Sequence, residues 1–129
     1  MEDASQSKPK ATISEFSMLM ALCRDLAVSR DFYKNVMGLH IANDQVPNWV
    51  DFDLGEGKKL GLHPEGAGRK VTPGTLQLGF LVPNVDKFVT DARVMGARIL
   101  QDPYDAPFGR IAVLSDPDGY AVQVFTPRR

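Results

Sequence analysis

Few side chains in this 129-residue chain can do acid–base or nucleophilic chemistry, and they are scattered. His63 precedes Pro64 at the end of an apolar run, where a near-neutral imidazole serves as a base, a metal ligand or a polar wall. His40 follows Gly38-Leu39 and reads as solvent-facing. Asp51 and Asp53 alternate with Val50 and Phe52, so strand periodicity sends both acids to the face that carries Trp49. If Val50 and Phe52 pack under a helix, the carboxylate pair lines a concave surface and can do acid–base work or hold a cation. Otherwise it is a solvated strand face. Cys23 is the only cysteine, which excludes an internal disulfide and a CxxC metal motif. Its place on the helix-side parity of a strand reads as a small core residue. Gly55-Glu56-Gly57 and Glu65-Gly66-Ala67-Gly68 precede no helix, so neither forms a phosphate cradle. Asp116-Pro117-Asp118-Gly119 is acidic but too short to supply the roughly six or more oxygens that calcium takes, and it reads as a turn.

The elements that position these residues follow a pattern used twice. Val36-Met37-Gly38-Leu39-His40-Ile41 recurs as Val94-Met95-Gly96-Ala97-Arg98-Ile99. In each copy an amphipathic run ends at glycine, the residue best suited to a helix C′ position, and turns into a β-like segment. Glu15 to Leu22 alternates as a strand that can be covered on both faces. A helix follows, with Ser29 as its N-cap, Asp31 in its first turn and Phe32, Tyr33 and Val36 as its apolar stripe. Leu39 to Ala42, Trp49 to Leu54 and Lys59 to His63 read as three short strands. Residues 65–74, with three glycines and a proline, form a linker. After it come a strand from Thr75 to Val82 and a helix capped by Asn84, with Val85, Phe88, Val89, Ala92 and Met95 at helical spacing. Three more strands run from Ala97 to Gln101, Arg110 to Leu114 and Tyr120 to Phe125. Asp118-Gly119 between the last two is a hairpin signal. The reading is βαβββ twice: a polar tail over residues 1–12, then one domain over 13–127, with modules at about 13–64 and 75–126.

Composition is that of a globular domain: 43% hydrophobic, 24% charged, with a formal net charge of −1. That balance carries no electrostatic footprint for nucleic acid or an anionic membrane. No apolar run approaches the roughly 20 residues of a membrane span, and the start lacks the apolar segment of a secretory signal. A cytoplasmic setting is the expectation.

Asp25-Leu26 before a helix containing Phe32-Tyr33, Gly38-Leu39 after it, and Asp116-Pro117-Asp118-Gly119 before the final strand together resemble the vicinal oxygen chelate superfamily. That group contains glyoxalase I, bleomycin-resistance proteins and extradiol dioxygenases. The resemblance runs from about Ile13 to Thr126. It implies an α+β fold in which two βαβββ modules form a curled mixed sheet around a cup, and in chains of this length it implies a homodimer. The superfamily's metal enzymes carry ligands at four set points, which here correspond to Met18, Gly61, Gln77 and Gln123. A thioether, an absent side chain and two neutral amides make a poor set for a divalent ion, which is held by imidazole, thiolate or carboxylate. The resemblance therefore implies no metal and no cofactor.

What remains for the cup is apolar and aromatic with two amides. Met18, Met20, Trp49, Gln77 and Gln123 are its expected ligand-binding residues, joined by Phe16 and Phe125. Tyr104 and Phe108 are expected in a loop, Asp102 to Gly109, able to close the mouth. Apolar walls with a few placed polar groups are the composition of a small-molecule pocket. The same residues can instead fill the space as core. The expected function is a metal-independent protein that sequesters an apolar or aromatic ligand. The alternative is a metal-dependent lyase, isomerase or dioxygenase-like enzyme that recruits ligands or catalytic groups from His63, Asp51, Asp53 and Glu65.

Overall fold

The computed structural model describes residues 11–128. The tail read over residues 1–12 lies outside this range except for its last two positions. The first module runs β1 (Met18–Cys23), α1 (Leu26–Asp31, prolonged by a π-helical turn Phe32–Val36), β2 (His40–Gln45), β3 (Trp49–Gly55) and β4 (Lys58–Pro64). The second repeats the order with β5 (Gln77–Leu81), α2 (Val85–Val94), β6 (Arg98–Ala106), β7 (Gly109–Ser115) and β8 (Ala121–Pro127). The architecture is α+β, two βαβββ modules. Each module closes its own four-stranded mixed sheet, in the orders β1-β4-β3-β2 and β5-β8-β7-β6. In both, the first strand lies parallel to the last and the other pairs are antiparallel.

Alternation decides which side of each sheet is covered. Ala21, Cys23, Val50, Phe52, Leu60 and Leu62 are buried on the side that takes α1. Leu78, Ala112, Leu114, Val122 and Val124 are buried with Val85, Val89 and Ala92 of α2. The two sets belong to one continuous core. Each fully buried Val, Leu or Phe side chain contributes about 1.5–3 kcal/mol by leaving water.

Local chemistry sets the helix starts. Asn84 caps α2, its side chain accepting from the Lys87 N–H at 3.0 Å. At α1 the cap is Asp25, which accepts from the Val28 N–H at 3.2 Å. Ser29, expected to cap, is instead fully buried inside the helix, whose cap lies four residues earlier at Asp25. Gly38 and Gly96 follow the two helices with φ of +73° and +87°, the left-handed conformation that ends a helix.

The largest departure from the sequence reading is β6. The segment expected as a loop, Asp102 to Gly109, is strand as far as Ala106, and Tyr104 pairs with Ile111. Pro103 lacks an N–H and is tolerated because β6 is an edge strand whose register shifts between Gln101 and Tyr104. Phe108 sits at the hairpin tip and is 60% exposed.

The modules are joined through α1 and the turn between β7 and β8. That turn is Asp116-Pro117-Asp118-Gly119, closed by the Gly119 N–H donating to the Asp116 carbonyl at 3.1 Å. The Tyr33 hydroxyl donates to Asp116 Oδ2 at 2.7 Å and Ser29 Oγ donates to Asp118 Oδ2 at 2.9 Å. The Arg24 N–H donates to Asp118 Oδ1 at 2.9 Å. Tyr33, Ser29, Asp116 and Asp118 are all buried. Tyr33 also meets Phe32 edge-on at 5.0 Å and Phe52 at 6.1 Å, so one side chain serves both the polar junction and the core.

Removing either donor strands a buried carboxylate oxygen. Tyr33→Phe and Ser29→Ala are each expected to lower unfolding free energy by about 1–3 kcal/mol, read from the urea midpoint at unchanged m value.

Candidate functional site

Turning one side of each sheet toward its helix leaves the other side bare. In the first module the bare face carries Met18 and Met20 of β1, Trp49, Asp51 and Asp53 of β3, and Lys59, Gly61 and His63 of β4. Strand parity and the pairing of Met20 with Gly61 and of Asp51 with Gly61 put them together. Burial of Val50 and Phe52 on the opposite side fixes this orientation of β3.

Asp51 does not lie free on that face. It is 5% exposed, with Oδ2 accepting from the Trp49 indole N–H at 2.8 Å. The Asn43 side-chain amide donates to both its oxygens at 3.0 and 3.1 Å, and Lys59 Nζ lies 3.9 Å away. Asp53 is exposed and paired with Lys59 at 3.3 Å. The acids expected as an acid–base pair are thus on the bare face with Trp49, one of them consumed in holding the indole and the other ion-paired. His63 is exposed; its ring stands at 65° to Trp49, 6.3 Å between centroids. Its Nδ1 donates to the Pro64 carbonyl at 2.7 Å, which leaves Nε2 as the free nitrogen.

Gly61 makes room for the indole. A Cβ on it would stand 2.5 Å from Trp49 Cη2 and 2.9 Å from Met18 Sδ. The benzo edge of Trp49 and the Met18 sulfur therefore ride over the glycine, one strand away from the backbone that carries the indole.

The second module's bare face carries Gln77, Gly79 and Leu81 of β5, Gln123 and Phe125 of β8, and Tyr104 of β6. The register Gln77↔Ala121, Gly79↔Gln123 and Leu81↔Phe125 places both glutamines on it. Phe125 packs with Phe108 at 5.5 Å and covers Gly109. Leu81 is 71% exposed, and Met20, Tyr104 and Phe16 are also exposed. The expected ligand-binding residues thus fall in two groups: Met18, Met20 and Trp49 on one face, Gln77, Gln123, Tyr104 and Phe108 on the other. Among the described residues, the hydrogen bonds between modules run through Arg24, Ser29 and Tyr33 and none joins the two bare faces.

As a metal site the four corresponding positions do not fit. Met18 and Gly61 on one sheet and Gln77 and Gln123 on the other bring no imidazole and no charge to offset a divalent ion. Among the described residues, no three His, Cys, Asp or Glu side chains are grouped to hold a metal. No described helix is long and apolar enough to cross a membrane.

The other titratable cluster is the module junction, which in the sequence reads as a plain turn. A groove of about 560 Å³ opens beside it, lined by Arg24, Phe32, Pro73, Arg98, Asp116 and Asp118. Both of its acids are already bonded: besides Tyr33, Asp116 takes the Asp118 and Tyr120 N–H groups on Oδ1 at 2.8 and 2.9 Å. Burial raises the Asp116 carboxyl above its ordinary value against the pull of these donors. Burial likewise raises the Tyr33 and Tyr120 hydroxyls and pushes the Cys23 thiol up to about 12. A thiol so placed is a core residue, not a nucleophile.

A folded-state pKa raised above the unfolded one favours the protonated native state. The stability Asp116 contributes is therefore complete below the unfolded carboxylate value of 3.8 and is lost as pH rises from there through the raised folded value. Urea midpoints taken in steps upward from pH 4 are expected to show this decline in the wild type, and Asp116→Asn is expected to flatten it. In the native protein at pH 7, Cys23 is expected to resist a thiol-modifying disulfide reagent until denaturant is added.

A family model described as the Glyoxalase/Bleomycin resistance protein/Dioxygenase superfamily matches residues 15–124. The chain is similar to TnmS3, an antibiotic binding protein from Streptomyces sp. CB03234, at 26% identity and TM-score 0.74, covering 92% of this chain and 100% of that one. It also shares its fold with a lactoylglutathione lyase from Agrobacterium tumefaciens, at 20% identity and TM-score 0.70, covering 89% and 95%. A glyoxalase-related enzyme from Fulvimarina pelagi aligns at 18% identity and TM-score 0.76 over 88% of each chain. No curated protein matches the chain.

Proposed function

As this chain belongs to the Glyoxalase/Bleomycin resistance protein/Dioxygenase superfamily, we propose that it is a metal-independent binding protein that sequesters an apolar or aromatic small molecule against its bare strand faces. The observation that carries this reading is the chemistry of those faces. A thioether, a glycine and two neutral amides stand where a metal enzyme of the fold needs imidazole and carboxylate, with Met20, Trp49 and Tyr104 on the same two faces. Gln77 and Gln123 each offer a donor and an acceptor with which to orient a carbonyl or ring nitrogen. Similarity to an antibiotic binding protein supports the same class of function.

The two faces belong to different modules, and within the chain none of the described hydrogen bonds links them. We take the complete cup to need a second copy of the chain, with the Met18–Trp49 face of one protomer opposing the Gln77–Gln123 face of its partner. Exposure of Met20, Leu81, Tyr104 and Phe108 supports a homodimer, since together they leave apolar surface that a lone copy would present to water. The setting consistent with this reading is the cytoplasm.

An enzymatic reading would draw on His63, Asp51 and Asp53. It is weakened by the engagement of both acids, Asp51 with Trp49, Asn43 and Lys59 and Asp53 with Lys59. Among the described residues, His63 Nε2 has no hydrogen-bond partner and is the base such a reading would use.

The purified protein is expected to run as a dimer with well under one equivalent of Zn, Ni, Fe or Mn by elemental analysis. Its melting temperature is expected to rise with flat aromatic compounds in a thermal-shift panel, in the presence or absence of a chelator. A stoichiometric metal lost in His63→Ala would contradict the proposal in favour of the enzyme.

A further inference from the structure

Asp51 is a buried carboxylate that holds the ring of Trp49 and is itself held by Asn43. Its Oδ2 takes the indole N–H at 2.8 Å, while the Asn43 amide bridges both oxygens from β2. Lys59, at 3.9 Å, balances the charge. From the other end, Gly61 leaves a gap that only a missing side chain provides, and the benzo edge of the indole fills it. The indole is thus pinned at its nitrogen and seated at its far edge, yet among the described residues it remains half-buried on a face that none of them closes over. A tryptophan serving only as core would be closed over, as Tyr33 and Phe52 are.

From this we infer that Asp51 is a positioning residue which, with Gly61, fixes the Trp49 indole as a stacking surface for a flat aromatic ring of the ligand. The inference rests on the small-molecule-binding reading and sharpens it to a ligand class. A ring held in one plane loses little freedom on binding and selects flat partners over globular ones of equal volume. The indole N–H···carboxylate bond also pushes electron density into the ring, which favours electron-poor aromatics.

Trp49 is the sole tryptophan, so its fluorescence reports on this position alone. Without any ligand, Asp51→Asn is expected to make the emission more quenchable by acrylamide, because the amide presents an N–H₂ where donors already converge. Gly61→Ala is expected to do the same by lifting the ring. Far-UV circular dichroism and the urea midpoint verify that each variant is folded, and the two variants act from opposite ends of the indole. Unchanged quenching in both overturns the positioning role, whatever binds.

The ligand arm uses acridine, flat and electron-poor, against 1-adamantanol, globular and aliphatic, by calorimetry on the full chain. The wild type is expected to prefer acridine at least about tenfold. Asp51→Asn and Gly61→Ala are expected to weaken acridine roughly three- to tenfold with adamantanol unchanged. In a Trp49→Phe background, which keeps a ring but has no N–H, Asp51→Asn is expected to have no further effect. Equal affinity for the two compounds, or an Asp51→Asn penalty that persists in Trp49→Phe, overturns the stacking role. Failure of the wild type to bind either compound defeats the binding reading and the ligand arm with it, whereas the acrylamide result stands by itself as the test of positioning.

Discussion

The fold depends on one junction: two aspartates of the β7–β8 turn are drawn under α1 and bonded there by Tyr33, Ser29 and the Arg24 backbone. Buried carboxylates are costly unless every oxygen is satisfied, so the turn and the helix specify one another tightly. The contact brings α1 of the first module against the end of the second module's sheet. It joins the covered sides of the two sheets, which strand alternation has already chosen, into the shared core and leaves the other sides bare. The candidate site is a consequence of that choice.

Within the bare faces, the residue types decide what chemistry is available. Carboxylates are present, but Asp51 is buried beneath donors and Asp53 is tied to Lys59. The positions where an imidazole or glutamate would make a metal centre hold Met18, Gly61, Gln77 and Gln123. Under the proposed binding function, a surface of this kind would read shape and aromaticity, with two amides to set orientation. Gly61 illustrates the trade: at that position the chain has no side chain that could ligate, and the space is taken by Trp49.

Much of this was legible in the sequence. The doubled βαβββ order follows from the Val-Met-Gly repeat, the glycine stops and the alternation in β3, β4, β7 and β8. Burial of Val50 and Phe52 settles which way β3 faces, a point alternation alone left open. Three features escaped, two because they depend on partners far away in the chain and one because it lies on an irregular edge strand. Ser29 resembles an N-cap by type, but its hydroxyl is bonded to Asp118 in the other module. Asp102 to Ala106 resembles a loop because it carries proline and two acids, and it is strand because an irregular edge accepts what a central strand would not. The Asp116–Gly119 turn shows its hairpin in sequence but not its role as the module lock, since nothing local signals that Tyr33 reaches it. The same limit applies to Asp51, whose bond to Trp49 turns an apparent acid–base candidate into a brace.

The most direct test of the account is titration of the native protein's tryptophan fluorescence with flat aromatic compounds, with and without a chelating agent. Saturable quenching of Trp49 at one ligand per site is expected, with the same affinity when divalent metal is removed. Quenching that never saturates, or that disappears with the chelator and returns with added metal, would contradict it.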